Sequence, residues 1–414
     1  MKYPVTDTFT RCFPLCLRLP VCVIAVFTWS LQVHAQTDTA ENGKGLTRNM
    51  IEGGKTQGFL FTDVKGIRLQ FSGYVQADFI HDFSEIGNIH AMQPSTITVP
   101  TVSDGNTAFT IRQSRFAFTA FGAPDAKGRA LKAVLEFDLW GNLSGAPRLR
   151  HAYIQHGKWT FGQYWSNFMD GDNWPNIMDY WGPNSYIWTR QVQLRFTQAL
   201  SESMTFSVSA EQPGGDISIP STWSSKTIYP DVTAAFQKTF GVKNASHVRL
   251  SGLLHPIDYK NGDADTKTSI GGAFNISGNI NLSKNDDVKF QFAYGSGYAK
   301  YSEDISGQGY DGYAAANDKS ISNISMLATW LYFDHFWTKS LGSTIGYGYL
   351  QLNTPDLNMP VGTLKATHYG SFNTTYYFTS FFKIAGEVLY GKRVNTDDTS
   401  GDDVRAQFSA FFKF

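Results

Sequence analysis

The chain has 414 residues, of which 42% are hydrophobic, 15% aromatic and only 17% charged, and its formal net charge is zero. This balance gives no bulk basic character, so a nucleic-acid partner is not expected. All three cysteines (Cys12, Cys16 and Cys22) lie near the amino terminus. The rest of the chain therefore has no disulfide, no cysteine-bound metal and no thiol nucleophile.

The first 35 residues have the pattern of a secretory signal peptide. Basic residues precede an apolar run at residues 19–31, and Val33 and Ala35 are the small residues expected before a cleavage point after Ala35. The run is too short for a helix that crosses the ~30 Å core of a bilayer. Residues 36–66 are polar and contain several glycines, which predicts a mobile periplasmic leader and not a domain.

From residue 67 onward the side chains alternate between apolar and polar, which is the period of a β-strand. One face of the first stretch carries Ile67, Leu69, Phe71, Val75, Ala77 and Phe79. The chain beyond the signal peptide has no apolar run near the ~18 residues of a transmembrane helix, so it crosses a membrane only as a closed barrel. The sequence therefore predicts an all-β fold, a closed antiparallel transmembrane β-barrel with apolar side chains toward lipid and polar ones toward water.

Strands are predicted at residues 67–80, 109–121, 129–140, 146–156, 158–165, 189–198, 203–211, 231–240, 246–256, 267–281, 287–300, 321–337, 340–352, 363–378, 380–393 and 403–414. The number, about 16, is even, as in single-chain bacterial barrels. Near Gln113 the alternation changes phase, which indicates either a bulge or an error of register. Long connections, among them 81–108 and 301–320, alternate with short ones, which is typical of outer loops and periplasmic turns.

The carboxyl terminus and the remaining motifs bear on location and chemistry. A final amphipathic strand that ends at Phe414 resembles the sorting signal of the outer-membrane assembly machinery, so we expect a protein of the bacterial outer membrane among lipid and lipopolysaccharide. The nine histidines have no metal-ligand spacing. The G-x-G-x-x-G match at residues 307–312 lies in a loop and not in a βαβ unit. No cofactor, metal or enzymatic activity is predicted.

Several stretches are similar to the DcaP-like outer-membrane porins. They are residues 111–116 (IRQSRF), 148–153 (RLRHAY), 161–170 (FGQYWSNFMD), 292–297 (FAYGSG), 389–393 (LYGKR) and 405–410 (RAQFSA). The resemblance spans nearly all of the mature chain and is most specific over 148–170. It implies a homotrimer of sixteen-stranded barrels, an inward-folded third loop and a preference for small anions such as dicarboxylates. Family members often carry a long helical extension, for which residues 36–66 are too short and glycine-rich.

The connection at residues 166–188 is the first part of the predicted site. We expect it to fold into the lumen and narrow it, with its carboxylates toward the water path. The alternative is an extracellular loop packed on the rim. The predicted pore-lining residues of this loop are Asp170, Asp172, Trp174, Asp179, Tyr180 and Trp181.

A ladder of basic side chains is the second part. It consists of Arg112, Arg115, Arg148, Arg150 and Arg195. Because a basic residue in mid-membrane costs ~2–4 kcal/mol on the lipid face, these side chains should point inward. Guanidinium groups bind carboxylates through paired hydrogen bonds, so such a wall favours anions.

Two carboxylates, Glu136 and Asp138, share one face of a predicted strand and should also line the pore. The alternative is that the arginines pair with them and only hold the wall together. The predicted function is a passive porin that prefers anions. The competing hypotheses are an adhesin or structural barrel with a plugged lumen and, least supported, a lipid hydrolase, for which we find no convincing Ser/His pair.

Overall fold

The computed structural model describes residues 59–64, 67–142, 145–242, 245–262, 265–354 and 359–414. The predicted signal peptide (1–35) and most of the predicted leader (36–66) lie outside these ranges. Within them, sixteen strands form one closed antiparallel barrel, which confirms the predicted fold class.

Each barrel strand is hydrogen-bonded to its neighbours in sequence, and the last strand pairs with the first from Tyr74↔Lys413 to Asp82↔Arg405. The strands are β1 (Ile67–Asp82), β2 (Thr107–Thr110 and Arg115–Gly122), β3 (Leu131–Asp138), β4 (Arg148–His156), β5 (Trp159–Trp165), β6 (Arg190–Ser201), β7 (Met204–Glu211), β8 (Asp231–Phe240), β9 (Ser246–Asn261), β10 (Thr266–Asn281), β11 (Asp286–Ser296), β12 (Ser325–Phe336), β13 (Leu341–Asn353), β14 (Leu364–Tyr377), β15 (Phe382–Asn395) and β16 (Ser400–Lys413).

The burial pattern of the wall is the reverse of that of a soluble protein. On β1, Val75 and Phe79 are 45% and 40% exposed on the outer face, whereas Gln76 and Asp78 are buried in the lumen. An outer face of large apolar side chains is unfavourable in water and is stable against lipid tails. Among the residues that the structure describes, no helix is long and apolar enough to cross a bilayer.

Two irregularities set the direction of inward side chains. Asp78 pairs with Thr110 and Tyr74 with Arg115, so β2 has one residue more than β1 between these pairs. This bulge explains the change of phase near Gln113. A second register shift in β4 adds Arg150 to its strand.

A short strand, Phe59–Val64, precedes the barrel and pairs with the start of β1. It was not predicted, because its sequence does not alternate. It lies along β1 beyond the point where β16 ends, and there Phe414 and Gly73 exchange two backbone hydrogen bonds of 3.0 Å. The last residues of the predicted leader therefore belong to the sheet.

Three loops fill one side of the lumen. They are L1 (83–106), L3 (166–189) and L6 (297–324), with short 3-10 helices at Pro94–Thr96 in L1 and Ala299–Tyr301 in L6. Small strands at Ile217–Ser218, Gly312–Tyr313 and Ser322–Asn323 form a separate sheet, and Trp223–Lys226 extends the barrel sheet beside β9. The loops pack against β12–β15 through an apolar cluster that includes Met92, Phe168, Tyr186, Tyr298, Tyr301, Trp330, Tyr332, Tyr369 and Leu389. The opposite wall, β2–β6, carries the five predicted arginines.

Candidate functional site in the barrel lumen

Loop L3 crosses the lumen and is hydrogen-bonded to the wall beyond it. The Asn176 side-chain amide donates to the Tyr377 hydroxyl at 3.0 Å. The backbone N–H groups of Met178 and Asp179 both donate to the carboxylate of Glu387 at 2.9 Å. These contacts hold the middle of L3 against β14 and β15.

A cluster of glutamines holds the same part of L3 from the seam of the barrel. The carbonyl oxygen of Met178 accepts hydrogen bonds from Gln113 at 2.8 Å, Gln76 at 3.2 Å and Gln407 at 3.3 Å. Asp78 accepts from the same three amides. Sequence reasoning missed this anchor, because its only signal was three polar residues on the inner faces of β1, β16 and the β2 bulge.

The predicted carboxylates of L3 anchor the loop to the wall. Asp170 accepts a hydrogen bond of 2.9 Å from His247. Burial opposes ionisation of Asp170, but His247 keeps its pKa lowered, at about 2. Asp179 accepts from the Tyr369 hydroxyl at 3.0 Å, and both carboxylates are buried. This placement differs from the expected exposure to a water path; Asp172 is half-buried.

Predicted residues from three elements meet at the arginine wall. Asp138 Oδ2 lies 2.7 Å from Arg148 Nη2 and 2.8 Å from Arg150 Nη1, and Arg150 Nε lies 2.9 Å from Glu136 Oε1. Both guanidinium groups also donate to the hydroxyl of Tyr180 in L3, at 2.5 and 2.9 Å. Arg148 and Arg150 therefore share one face. Their pairing with Glu136 and Asp138 is the geometry expected if the arginines only hold the wall together.

The other three predicted arginines also lie on the inner side of the barrel. Arg112 and Arg115 stack over aromatic rings, with the Cζ of Arg112 5.3 Å from the Trp140 ring. Arg195 donates to Gln193 at 2.8 Å. A guanidinium over an aromatic face is held in place without loss of its charge.

The predicted tryptophans of L3, Trp174 and Trp181, pack on the ring of Trp188 and on the neighbouring loop. Trp174 lies 5.1 Å from the Trp188 ring, and Trp181 donates its indole N–H to the backbone oxygen of Glu303 at 2.9 Å. They therefore stiffen L3 and join it to L6.

Two cavities lie along the arginine side of L3. The upper cavity, of about 240 Å³, is lined by Arg148, Trp165, Trp181, Trp188, Thr189, Arg190, Glu303 and Ser306. The lower cavity, of about 70 Å³, includes Arg115 and Lys383 in its lining. Trp188 lines both cavities. This arrangement offers charge and hydrogen-bond donors to a passing solute. In the described part of the chain no group of three or more His, Cys, Asp or Glu side chains is placed to hold a metal.

Arg190, Lys383 and Glu303 are the charged lining residues that sequence reasoning missed. Strict alternation puts Arg190 on the lipid face with Val192, which is 50% exposed. Arg190 is the first residue of β6, however, and its guanidinium lies 5.5 Å over the Trp165 ring at the rim. Glu303 lies in a loop without periodicity, so no pattern indicated its position.

Known proteins resemble this chain in sequence and in fold. The model of the family described as DcaP outer membrane protein matches residues 43–414. The crystal structure of the outer membrane channel DcaP of Acinetobacter baumannii is similar, with a TM-score of 0.75 at 21% identity, covering 87% of this chain and 100% of that chain. A search of curated proteins finds no match.

Two further solved structures share the fold at lower similarity. An anion-selective porin from Comamonas acidovorans has a TM-score of 0.58 at 7% identity, with coverage of 84% of this chain and 100% of that one. OmpT of Vibrio cholerae has a TM-score of 0.54 at 12% identity, with coverage of 86% and 100%. At these identities the structural likenesses support the barrel fold alone.

Proposed function

Because this chain belongs to the DcaP outer membrane protein family, we propose that it is a passive channel for small polar solutes that prefers anions such as dicarboxylates. The observation that carries this proposal is the excess of arginine on the inner side of the wall. Among the described residues of β2–β6 and the β2 bulge, Glu136 and Asp138 lie among Arg112, Arg115, Arg148, Arg150, Arg190 and Arg195. A wall of this charge concentrates anions.

The proposed solute path runs between L3 and this wall, through the upper and lower cavities. Arg148 and Arg150 already bind Asp138. Arg112 Nη2 and Arg190 Nη1 have no hydrogen-bond partner among the residues that the structure describes. Arg190 lines the upper cavity, so its donor gains a charge-assisted hydrogen bond when a carboxylate passes.

A substitution at Gly348 tests on which side of L3 the path runs. A Cβ at this β13 position would lie 2.5 Å from Asn184 Oδ1 and 3.0 Å from Ser185 Oγ, so Gly348→Val pushes L3 away from β13 and toward the arginines. We expect a smaller single-channel conductance and a destabilisation of ~1–3 kcal/mol from overpacking. Gly386→Val, at an outward position with open space, is the control. A larger conductance for Gly348→Val would place the path on the β13 side.

The alternative is an adhesin or structural barrel with a plugged lumen, and the packing of L1, L3 and L6 across the interior favours it. The two functions separate in one experiment. Liposomes that contain the purified protein should swell in small sugars and acids, and the conductance should persist when chloride is replaced by mono- and dicarboxylates. Absence of both swelling and conductance would support the plugged barrel.

A homotrimer is part of the same proposal. Strands β3 and β5 have eight and seven residues, whereas a tilted transmembrane strand needs about 9–11; β4 between them has nine, the lower end of that range. Their outer faces are apolar, with Leu135, Ile154 and Phe161 between 41% and 51% exposed. Lipid around these short strands would have to thin to match them. Contact with two further copies of the chain covers their apolar outer faces instead. The fold is shared with OmpT of Vibrio cholerae, which has a solved trimer form.

The remaining partners follow from location. The family is one of outer-membrane proteins, and we propose lipid and lipopolysaccharide around the long strands, recognition of Phe414 by the assembly machinery, and removal of the signal peptide near Ala35. No enzymatic step is proposed. The family and the similar solved structures are described as an outer membrane protein, a channel and porins.

A further inference from the structure

The upper cavity has a negative group among its positive ones. We propose that Glu303 sets the strength of the anion preference, because its carboxylate opposes Arg148 and Arg190 in the upper cavity. This inference rests on the proposed function and adds a residue that determines its specificity. No pattern in the sequence pointed to Glu303, and it lies on L6, away from the arginine strands.

Loop L3 fixes the position of Glu303 through its backbone. The Glu303 N–H donates to the carbonyl of Tyr186 at 3.1 Å, and its carbonyl accepts the Trp181 indole N–H at 2.9 Å. One residue earlier, Ser302 forms a β-bridge with Ile187. The backbone of Glu303 is therefore fixed, and the residue lies in the cavity lining together with Arg148 and Arg190.

The adjacent carboxylate of L6, Asp304, is hydrogen-bonded to other parts of the chain. Asp304 accepts the backbone N–H of Ser95 at 3.0 Å and the hydroxyl of Thr367 at 2.7 Å, which ties L6 to L1 and to β14. Asp304 does not line the upper cavity, whereas Glu303 does. The charge of the cavity thus depends on Glu303 and the two arginines.

The ionisation of Glu303 falls in a range that an experiment can reach. Burial raises its pKa to about 8, although Arg190, Arg148 and Arg150 act to lower it. Below this pKa the carboxyl is neutral and the arginines are unopposed; above it the carboxylate cancels part of their charge. Anion preference should therefore be stronger at neutral pH and weaker in alkali.

The other charged groups near the path are the same in the wild type and in Glu303→Gln, so the difference between these two proteins isolates Glu303. The guanidinium groups of Arg148, Arg150 and Arg190 stay charged throughout. Burial raises the pKa of Asp304 to about 6, so it is largely ionised from about pH 7 upward. Tyr180 beside Arg148 and Lys383 in the lower cavity are present in every variant, and their contribution cancels in a comparison.

The test is the reversal potential of single channels in a KCl gradient, measured from about pH 7 to about pH 9.5. The wild type should lose anion preference several-fold over this range, with a midpoint near pH 8. Glu303→Gln should lose less of the neutral-pH preference over this range than the wild type does, and Glu303→Asp should follow the wild type. Glu85→Gln, at an exposed carboxyl of L1, should follow the wild type.

A Glu303→Gln profile that matches the wild type would overturn this inference, as would a wild-type profile without a midpoint in the range. The second criterion applies even if Glu303→Gln does not assemble. If the wild type prefers cations but Glu303→Gln is more permeable to anions than the wild type in alkali, the proposed anion preference fails and the role of Glu303 stands. If the wild type prefers anions and Glu303→Gln has the same pH profile, the proposed anion preference stands and the role of Glu303 fails.

Discussion

Replacing Arg148 and Arg190 together by glutamine is expected to lower the ratio of anion to cation permeability about tenfold, the equivalent of about 1.4 kcal/mol. Both residues line the upper cavity and supply its positive charge. A unit charge at 4 Å contributes about 4 kcal/mol at an effective dielectric constant near 20. Screening by salt reduces this value over a Debye length of about 10 Å, so a tenfold change is well within the reach of two charges.

The double substitution should leave the barrel intact. Asp138 keeps its ion pair with Arg150 at 2.8 Å and does not become an unpaired buried charge. Arg129→Gln is the matched control, since Arg129 is half exposed and pairs with Asp125 at the β2–β3 turn. The measurement is the reversal potential in a KCl gradient. A double variant with the selectivity of the wild type would show that the upper cavity is not on the path of the ions.

A second large effect is expected at the seam between β1 and β16. Arg405 is fully buried, and its guanidinium lies 2.5 Å from Asp82 Oδ1 and 3.8 Å from Asp179. Arg405→Met leaves Asp82 buried without its partner, which costs about 3–5 kcal/mol. We expect this loss in the free energy of unfolding, measured by denaturant titration of the protein in lipid vesicles.

Two controls accompany this prediction: a double variant that removes both Arg405 and Asp82, and a variant that breaks an exposed ion pair. Asp82→Asn in the Arg405→Met background removes the unpaired charge and should restore part of the stability. Lys365→Met breaks the exposed pair between Lys365 and Asp398, which lies at 2.7 Å, and should change the stability little because solvent screens such pairs. If Arg405→Met costs no more than Lys365→Met, the seam does not depend on this ion pair.

The barrel could be predicted from the sequence because each strand is a local pattern. Val75 and Gln76 point to opposite sides of β1, and lipid on one side and water on the other make that alternation visible without any long-range information. Even the bulge of β2 left a local trace, the change of phase near Gln113. Strand ends were less exact, since β9 continues to Asn261 whereas the pattern indicated an end at residue 256.

The lumen was harder to predict, because its contacts join residues far apart in the chain. The spacing of Arg148 and Arg150 placed both on one face, and the structure has them together on Asp138. No local pattern relates Met178 of L3 to Gln407 of β16, or Glu303 of L6 to Trp181 of L3. Likewise the carboxyls of L3 were expected to face water, because nothing in the sequence shows that Tyr369 approaches Asp179.

We propose that the arginine wall makes this outer-membrane channel prefer anions. The most direct test is the reversal potential of the purified wild-type protein in planar bilayers, across a KCl gradient at neutral pH. A potential displaced toward that of chloride is the predicted result. A potential displaced toward that of potassium would show that the arginine wall does not make the channel prefer anions.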